Sequence, residues 1–272
     1  MQLSDLNLSE MLTAVKLANV SYTLEGDPDA QAQVQAVLPG AVLGMSISAG
    51  GEFAFIADDG TNAWGVVRGS DNAVNWMQDL RFSQTIMSPD GQACHTGFLA
   101  GAKALASAGF TDNLRVLEAT RRIILVGHSR GGAIITIIGH DFGGPATAYS
   151  FGGPRTFNPA GANAYPLYNP NLSSPGINLI RVCHDDDDVP RVPFPMVLEL
   201  LRVLLYQHTA GPVNLADDGT LSTWPPEVDD LAENVANDLE AMADGPMIVT
   251  EHGCDGYVAS IALALAKSLG GK

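Results

Sequence analysis

Apolar positions recur along this chain with two different periods. Within residues 6–22, Leu8, Met11, Leu12, Val15 and Leu17 cluster on one face of a helix. Residues 27–38 predict a second, weaker helix closed by Pro39-Gly40. Three short β-rich segments follow, 43–48, 52–57 and 63–67, separated by Gly50-Gly51 and Asp58-Asp59-Gly60. Those separators read as hairpin turns, so antiparallel strands are expected to lead into the rest of the sheet. Beyond a polar, proline-containing loop to Gln92, residues 97–107 predict a small-residue helix, with 112–119 continuing or following it. A strand and a helix share 122–140. Further strands are expected at 146–151 and 177–183. The apolar run 196–205 reads as helix, 227–242 as an acidic helix, 247–250 as a strand and 257–269 as a C-terminal helix. Strands alternating with helices, without repeats or a linker, predict a single α/β domain over residues 1–272.

The junction inside 122–140 is the most informative stretch. Ile123, Ile124, Leu125 and Val126 suit a buried parallel strand, and Ala133 to Ile138 suit a buried helix. Between them stands Gly127-His128-Ser129-Arg130-Gly131, the Gly-x-Ser-x-Gly pattern of a nucleophile elbow. A serine on a sharp turn needs glycines around it so that neighbouring backbone can pass close by. The turn lifts the hydroxyl clear of the sheet and places it at a helix N-terminus, where free N–H groups favour negative charge. The alternative is an N-capping serine in an ordinary loop. A plain cap, however, does not call for two or three glycines.

Composition narrows the function. The 272 residues are 46% hydrophobic and 16% charged, enough for one large folded core. A formal charge of −16 argues against nucleic acid and against anionic membranes held by charge. Contact with neutral lipid through an apolar patch stays open. The three cysteines, Cys94, Cys183 and Cys254, form no CxxC pair, so a zinc site is not expected. Three independent buried thiols are the main expectation, with a Cys183–Cys254 bridge as the alternative. The start, Met1-Gln2-Leu3-Ser4-Asp5, lacks the basic and apolar regions of a signal peptide, and no apolar run reaches membrane-spanning length. The compartment is therefore left open between the cytoplasm and secretion with a leader absent.

A serine hydroxyl needs a histidine base, and the histidine needs a carboxylate to hold its tautomer. In elbow hydrolases these follow in the order serine, acid, histidine. Here Asp185-Asp186-Asp187-Asp188 follows Ser129, and His252 follows the aspartates. His208 is the competing base, and His252 is favoured because it lies between a strand and the last helix. A calcium site or a solvated acidic turn is the alternative use of the aspartate run. His128 is expected to be a packed, hydrogen-bonded ring.

Several motifs in order resemble those of the class 3 lipases, the family of fungal and related triacylglycerol lipases. They are Val67-Arg68-Gly69-Ser70 followed by Asn75-Trp76 and Asp79-Leu80, His95-Thr96-Gly97-Phe98, the elbow with Gly132, Phe151-Gly152-Gly153-Pro154-Arg155, Asp187-Asp188-Val189-Pro190, and His252 with Tyr257. Together they span about residues 66–257, and the first sixty residues carry no match. The resemblance implies an α/β-hydrolase fold, with a mostly parallel central sheet, helices on both faces and a helical lid. It implies ester hydrolysis on acylglycerols through an acyl-enzyme, with no cofactor and no metal. Carried over, Ser129 is the nucleophile, His252 the base and Asp187 the acid, with Asp188 as runner-up. The oxyanion donors are the Arg130 N–H and Ser70, while Arg68 is expected to pair with a carboxylate. The candidate lid covers about residues 71–92, with Trp76, Met77, Leu80 and Phe82 over the site and a flexible Ser88-Pro89-Asp90-Gly91 loop. The expected partner is a lipid or small ester, met at a lipid–water interface. Esterases for feruloyl or phospholipid esters and a non-catalytic binding protein of the same fold remain as alternatives.

Overall fold

The computed structural model describes residues 3–70, 83–169, 171, 176–185, 187–192, 196–199, 202–223 and 252–270. The expected acidic helix at 227–242, the strand at 247–250 and residues 71–82 of the candidate lid lie outside the described residues.

Helix α1 (Leu8–Leu24) starts at Asn7, whose side chain accepts a hydrogen bond from Glu10 N–H at 3.1 Å. Helix α2 (Ala30–Val37) follows. Three strands come next, β1 (Val42–Ala49), β2 (Glu52–Asp58) and β3 (Asn62–Val67), joined as antiparallel hairpins. Then come β4 (Gln84–Ile86), β5 (Ala93–His95), α3 (Thr96–Ser107) and α4 (Phe110–Glu118). The elbow lies between β6 (Arg122–His128) and α5 (Arg130–Phe142). Strand β7 (Ala146–Phe151), the short helix α6 (Pro159–Asn163) and β8 (Ile177–His184) complete the middle of the chain. The last elements are β9 (Met196–Glu199), β10 (Arg202–Leu205), β11 (Pro212–Leu215), β12 (Leu221–Thr223) and α7 (Cys254–Gly270).

Among the described residues the main sheet has eight strands in the order β1-β2-β3-β6-β7-β8-β11-β12. Pairing is parallel from β3 through β11 and antiparallel at both ends. Period-two alternation explains how both faces are buried. On β6, Ile123 and Leu125 join one apolar cluster while Ile124 and Val126 join the other. On β8, Ile177 and Leu179 part from Ile180 and Val182 in the same way. The first cluster is closed by α3, α4 and α5 through Phe98, Phe110, Leu114 and Ile134. The second is closed by α1 and α7 through Met11, Leu17, Tyr257 and Ile261. Full burial of one such side chain contributes roughly 1.5–3 kcal/mol.

Three expectations change. The described residues of 196–205 are two antiparallel strands, β9 (Met196–Glu199) and β10 (Arg202–Leu205), and not a helix. Ten residues of Met, Val and Leu broken only by Glu199 and Arg202 do not reveal a period, and Val197 and Val203 are β-branched types that favour strands. The short strands β11 and β12 extend the sheet beyond β8, where four residues opening on Pro212 gave no pattern to read. Ser88 to Gly91 forms the tight turn of the β4–β5 hairpin, with Gly91 N–H on Ser88 O at 3.1 Å and Met87 N–H on Gln92 O at 2.7 Å. The cysteines are three free, buried thiols: Cys254 Sγ faces Val15 O at 3.6 Å, and Arg181 reaches Cys183 Sγ at 3.7 Å.

Candidate active site

Parallel strands bring their C-terminal ends to one edge, and the candidate site lies along the ends of β3, β6, β7 and β8. Strand β6 stops at His128, and Ser129 makes the turn at φ 56° and ψ −130°. It is the one non-glycine residue with positive φ among the described residues. Such a conformation costs on the order of 1–3 kcal/mol and persists only where the surroundings impose it. Here they do. Ser129 N–H is tied to Phe151 O at 2.9 Å, and Ser129 O accepts from Gly132 N–H at 2.9 Å. A Cβ on Gly127 would overlap the Gly131 carbonyl, and one on Gly131 would overlap Val67 O, so neither position accepts a larger residue. The Ser129 side chain is buried, and its Oγ has no hydrogen-bond partner among the described residues.

Past the end of β8, Asp187 is buried at 2% exposure. Its Oδ1 accepts from Val189 N–H at 2.9 Å. Its Oδ2 accepts from Tyr257 O–H at 2.6 Å and from His252 Nδ1–H at 2.8 Å. Burial pushes this carboxyl up, but the His252 and Tyr257 bonds outweigh it and hold it below the usual carboxylate range. His252 stands just ahead of α7, itself buried, with Nδ1 committed to Asp187 and Nε2 unpartnered. A Cβ on Gly152 would come within 2.8 Å of Asp187 Oδ2 and 3.0 Å of His252 Cε1. The Asp187–His252 pair thus rests on the residue after Phe151, and Ser129 is bonded to Phe151 itself. Ser129 Oγ and His252 Nε2 are not hydrogen-bonded to each other, which is common before substrate tightens such a contact.

The competitors sit elsewhere. Asp188 is paired with Arg191 at 2.9 Å. His208 has its Nε2 on Pro190 O at 2.8 Å, and burial with the charges of Arg181 and Arg155 holds its pKa well below the ordinary value. His128 stacks on His252 with ring centroids 4.6 Å apart.

Ser70 stands three residues past the end of β3, and Gly69 lies against the elbow: a Cβ there would overlap Tyr22 Oη and come within 3.0 Å of Ser129 Cβ. Arg68 pairs with Glu25 at 2.8 Å. Arg130 is the first residue of α5, so its N–H has no acceptor within the helix. Its side chain is anchored on the buried Glu52, reaches Gly97 O at 3.1 Å and lies over the Phe98 ring. Glu52 and Tyr22 were not singled out from the sequence. For Glu52 the signal was an acidic residue opening an otherwise apolar strand, and for Tyr22 there was none.

Among the described residues no group of three or more His, Cys, Asp or Glu could hold a metal ion, and no helix is long and apolar enough to cross a membrane. A cavity of about 960 Å³ opens at the opposite edge of the sheet by Arg122, Ala146, Ile177 and Pro212, and Ser129 is not among the residues that line it. Side-chain chemistry, rather than volume, therefore locates the candidate site.

Comparison with known proteins bears on family and fold. The family model "Lipase (class 3)" matches residues 65–197. Secreted mono- and diacylglycerol lipase 1 of Fusarium solani is 34% identical over 199 residues, covering 68% of this chain and 53% of that protein. Secreted mono- and diacylglycerol lipase A of Penicillium camembertii is 31% identical over 151 residues, covering 51% of this chain and 46% of its own. The chain thus spans about half the length of the curated relatives it matches. Among solved structures, a lipase from Rhizopus microsporus var. chinensis superposes with a TM-score of 0.64 at 23% identity, over 79% of this chain and 75% of that one. A triacylglycerol lipase whose catalytic centre is a serine protease triad gives 0.67 at 20% identity, over 93% and 94%. At these identities the superpositions establish the α/β-hydrolase fold.

Proposed function

Since the chain belongs to the class 3 lipase family, we propose that it is a serine ester hydrolase acting on acylglycerols through an acyl-enzyme. One observation carries the reading. A serine held in a strained turn ends with its hydroxyl unpartnered, and the ring of the preceding residue, His128, stacks on a buried imidazole whose Nδ1 is locked on an ionised carboxylate while its Nε2 is left over.

His252 Nε2 takes the Ser129 proton as Oγ attacks the acyl carbonyl. Asp187 holds Nδ1–H, so the free lone pair is on Nε2, and its negative charge stabilises the imidazolium that forms. The oxyanion is received by the Arg130 N–H, at the positive end of α5, and by Ser70. Collapse of the tetrahedral intermediate breaks the ester C–O bond, and the leaving alcohol takes the proton from Nε2. Water, deprotonated by the same nitrogen, then attacks the acyl-enzyme, releasing the acid and restoring Ser129. The anchored Arg130 side chain fixes the first turn of α5, and with it the direction of that N–H.

The acylglycerol substrate rests on family membership and on the acidic surface, which leaves neutral lipid as the fitting class of ester. Two measurements test the reading. A fluorophosphonate should label Ser129 stoichiometrically, and Ser129→Ala should abolish labelling; a protein that stays unlabelled is a binding protein of the same fold. Rates on mono-, di- and triacylglycerols should exceed those on feruloyl and phospholipid esters, and the reverse order would replace the substrate class while leaving the chemistry.

A further inference from the structure

We infer that Tyr22 and His128 are positioning residues for His252, a pair that locks the base's main chain and ring in place; this rests on the reading of His252 as the base. His128 Nε2 lies 2.7 Å from the main-chain oxygen of His252. A carbonyl oxygen only accepts, so Nε2 carries the proton. Burial first, and the adjacent His252 ring second, push His128 down to about 3, so its ring holds a single proton near neutral pH. Its Nδ1 is therefore a bare acceptor, and Tyr22 Oη, 2.7 Å away, donates to it. The His252 carbonyl sets the tautomer of His128, and the Tyr22 hydroxyl, by donating to the Nδ1 left bare, fixes the direction of the ring.

Two contacts extend the effect. The His128 and His252 rings are stacked, 4.6 Å between centroids and 28° between planes. When His252 becomes an imidazolium it faces a neutral ring, and a charged one there would oppose the proton transfer. The Tyr22 hydroxyl also packs against Gly69, one residue before Ser70. Helix α1, which carries no motif of the site, thus ties together the end of β3, the elbow and the residue ahead of α7. Without the tyrosine hydroxyl, Nδ1 becomes a buried acceptor that has lost its donor, the His128 ring loses the bond that fixes its direction, and its hold on the His252 carbonyl loosens.

The test uses the whole protein and a soluble short-chain nitrophenyl ester. Tyr22→Phe should lower kcat about tenfold with KM within about twofold, because the loss is in alignment and not in binding. The rate of fluorophosphonate labelling should fall in parallel. In a His128→Phe background, Tyr22→Phe should change kcat no further. Nitrogen-15 NMR of labelled histidine should show His128 as the Nε2–H tautomer, with the Nδ1 resonance shifting in Tyr22→Phe as its hydrogen bond is lost. An unchanged kcat with only a lower Tm, a rise in KM instead of a fall in kcat, or an Nδ1–H tautomer in the unaltered protein would each overturn the inference. His252→Ala separates this from the parent reading. An active His252→Ala protein removes His252 as base, whereas an inactive one beside a fully active Tyr22→Phe protein removes the positioning pair alone.

Discussion

The two edges of the central sheet carry the same three kinds of group and use them differently. At the edge where the parallel strands begin, Glu10 on α1 accepts hydrogen bonds from Arg122 at 2.8 Å and from Tyr149 O–H at 2.8 Å. At the edge where they end, Asp187 accepts from His252 at 2.8 Å and from Tyr257 O–H at 2.6 Å. Each is a carboxylate shared between a nitrogen base and a buried tyrosine. The first cluster closes on itself, since Arg122 spends a further N–H on Thr147 at 2.9 Å. The second stops one bond short, with His252 Nε2 and Ser129 Oγ left over. A closed network contributes stability by satisfying its members. An open one leaves a donor and an acceptor buried without each other, a cost that makes sense where a substrate completes the set. The open cluster also includes Ser129, the one non-glycine residue with positive φ among the described residues, which fits strain collecting at functional sites.

The sharpest way to break this contrast is to exchange the roles of the two carboxylates. Asp187→Asn should lower kcat about 10,000-fold, because an amide no longer holds the productive His252 tautomer. Glu10→Gln should leave kcat within about twofold and lower stability by about 1 kcal/mol, a value reduced for the exposure of Arg122. The check is steady-state turnover beside thermal unfolding of both variants. If Glu10→Gln lost turnover as severely as Asp187→Asn, the two edges would not be functionally distinct.

Stability and activity should also separate at the elbow. Ser129→Gly removes the hydroxyl and relieves the positive φ. Turnover should fall about a millionfold, while stability should rise by about 1 kcal/mol, read as a Tm increase of roughly 2 °C. Ser129→Ala should lose the same activity without that gain. Equal melting temperatures for the two variants would mean the turn stores no strain.

What could be read from the amino acids divides along the same lines. The elbow was legible because its chemistry is local. Gly127, Ser129 and Gly131 are required by one turn, and the strand and helix on either side have clear periods. Asp187 and His252 could be picked out through chain order and motif; in the structure His252 bonds Asp187, while Asp188 pairs with Arg191. Tyr22, Glu52 and the Glu10–Arg122 pair were not, because each acts across more than seventy residues and nothing beside it in sequence calls for it. Strands β9 and β10 were hidden for another reason: residues 196–205 are Met, Val and Leu broken only by Glu199 and Arg202, and it is pairing between β9 and β10, rather than alternation, that makes them strands.

The smallest effect concerns acid. Both Glu10 and Asp187 are held below their ordinary values; for each, burial raises the carboxyl and the hydrogen bonds from its partners outweigh it. A carboxyl with a depressed folded pKa contributes stability that is present above its unfolded pKa, about 4. That contribution is lost as pH falls through the folded value. Stability should therefore be flat with respect to these two groups near neutrality and fall below about pH 4. Glu10→Gln and Asp187→Asn should each make the acid limb shallower, and the double variant shallower still, since the two sites lie at opposite edges of the sheet and their effects should add. Urea unfolding at a series of pH values reads this directly. Acid limbs that do not change in either variant would show that neither carboxylate gains from its partners on folding, and the parallel between the two clusters would fail at its first step.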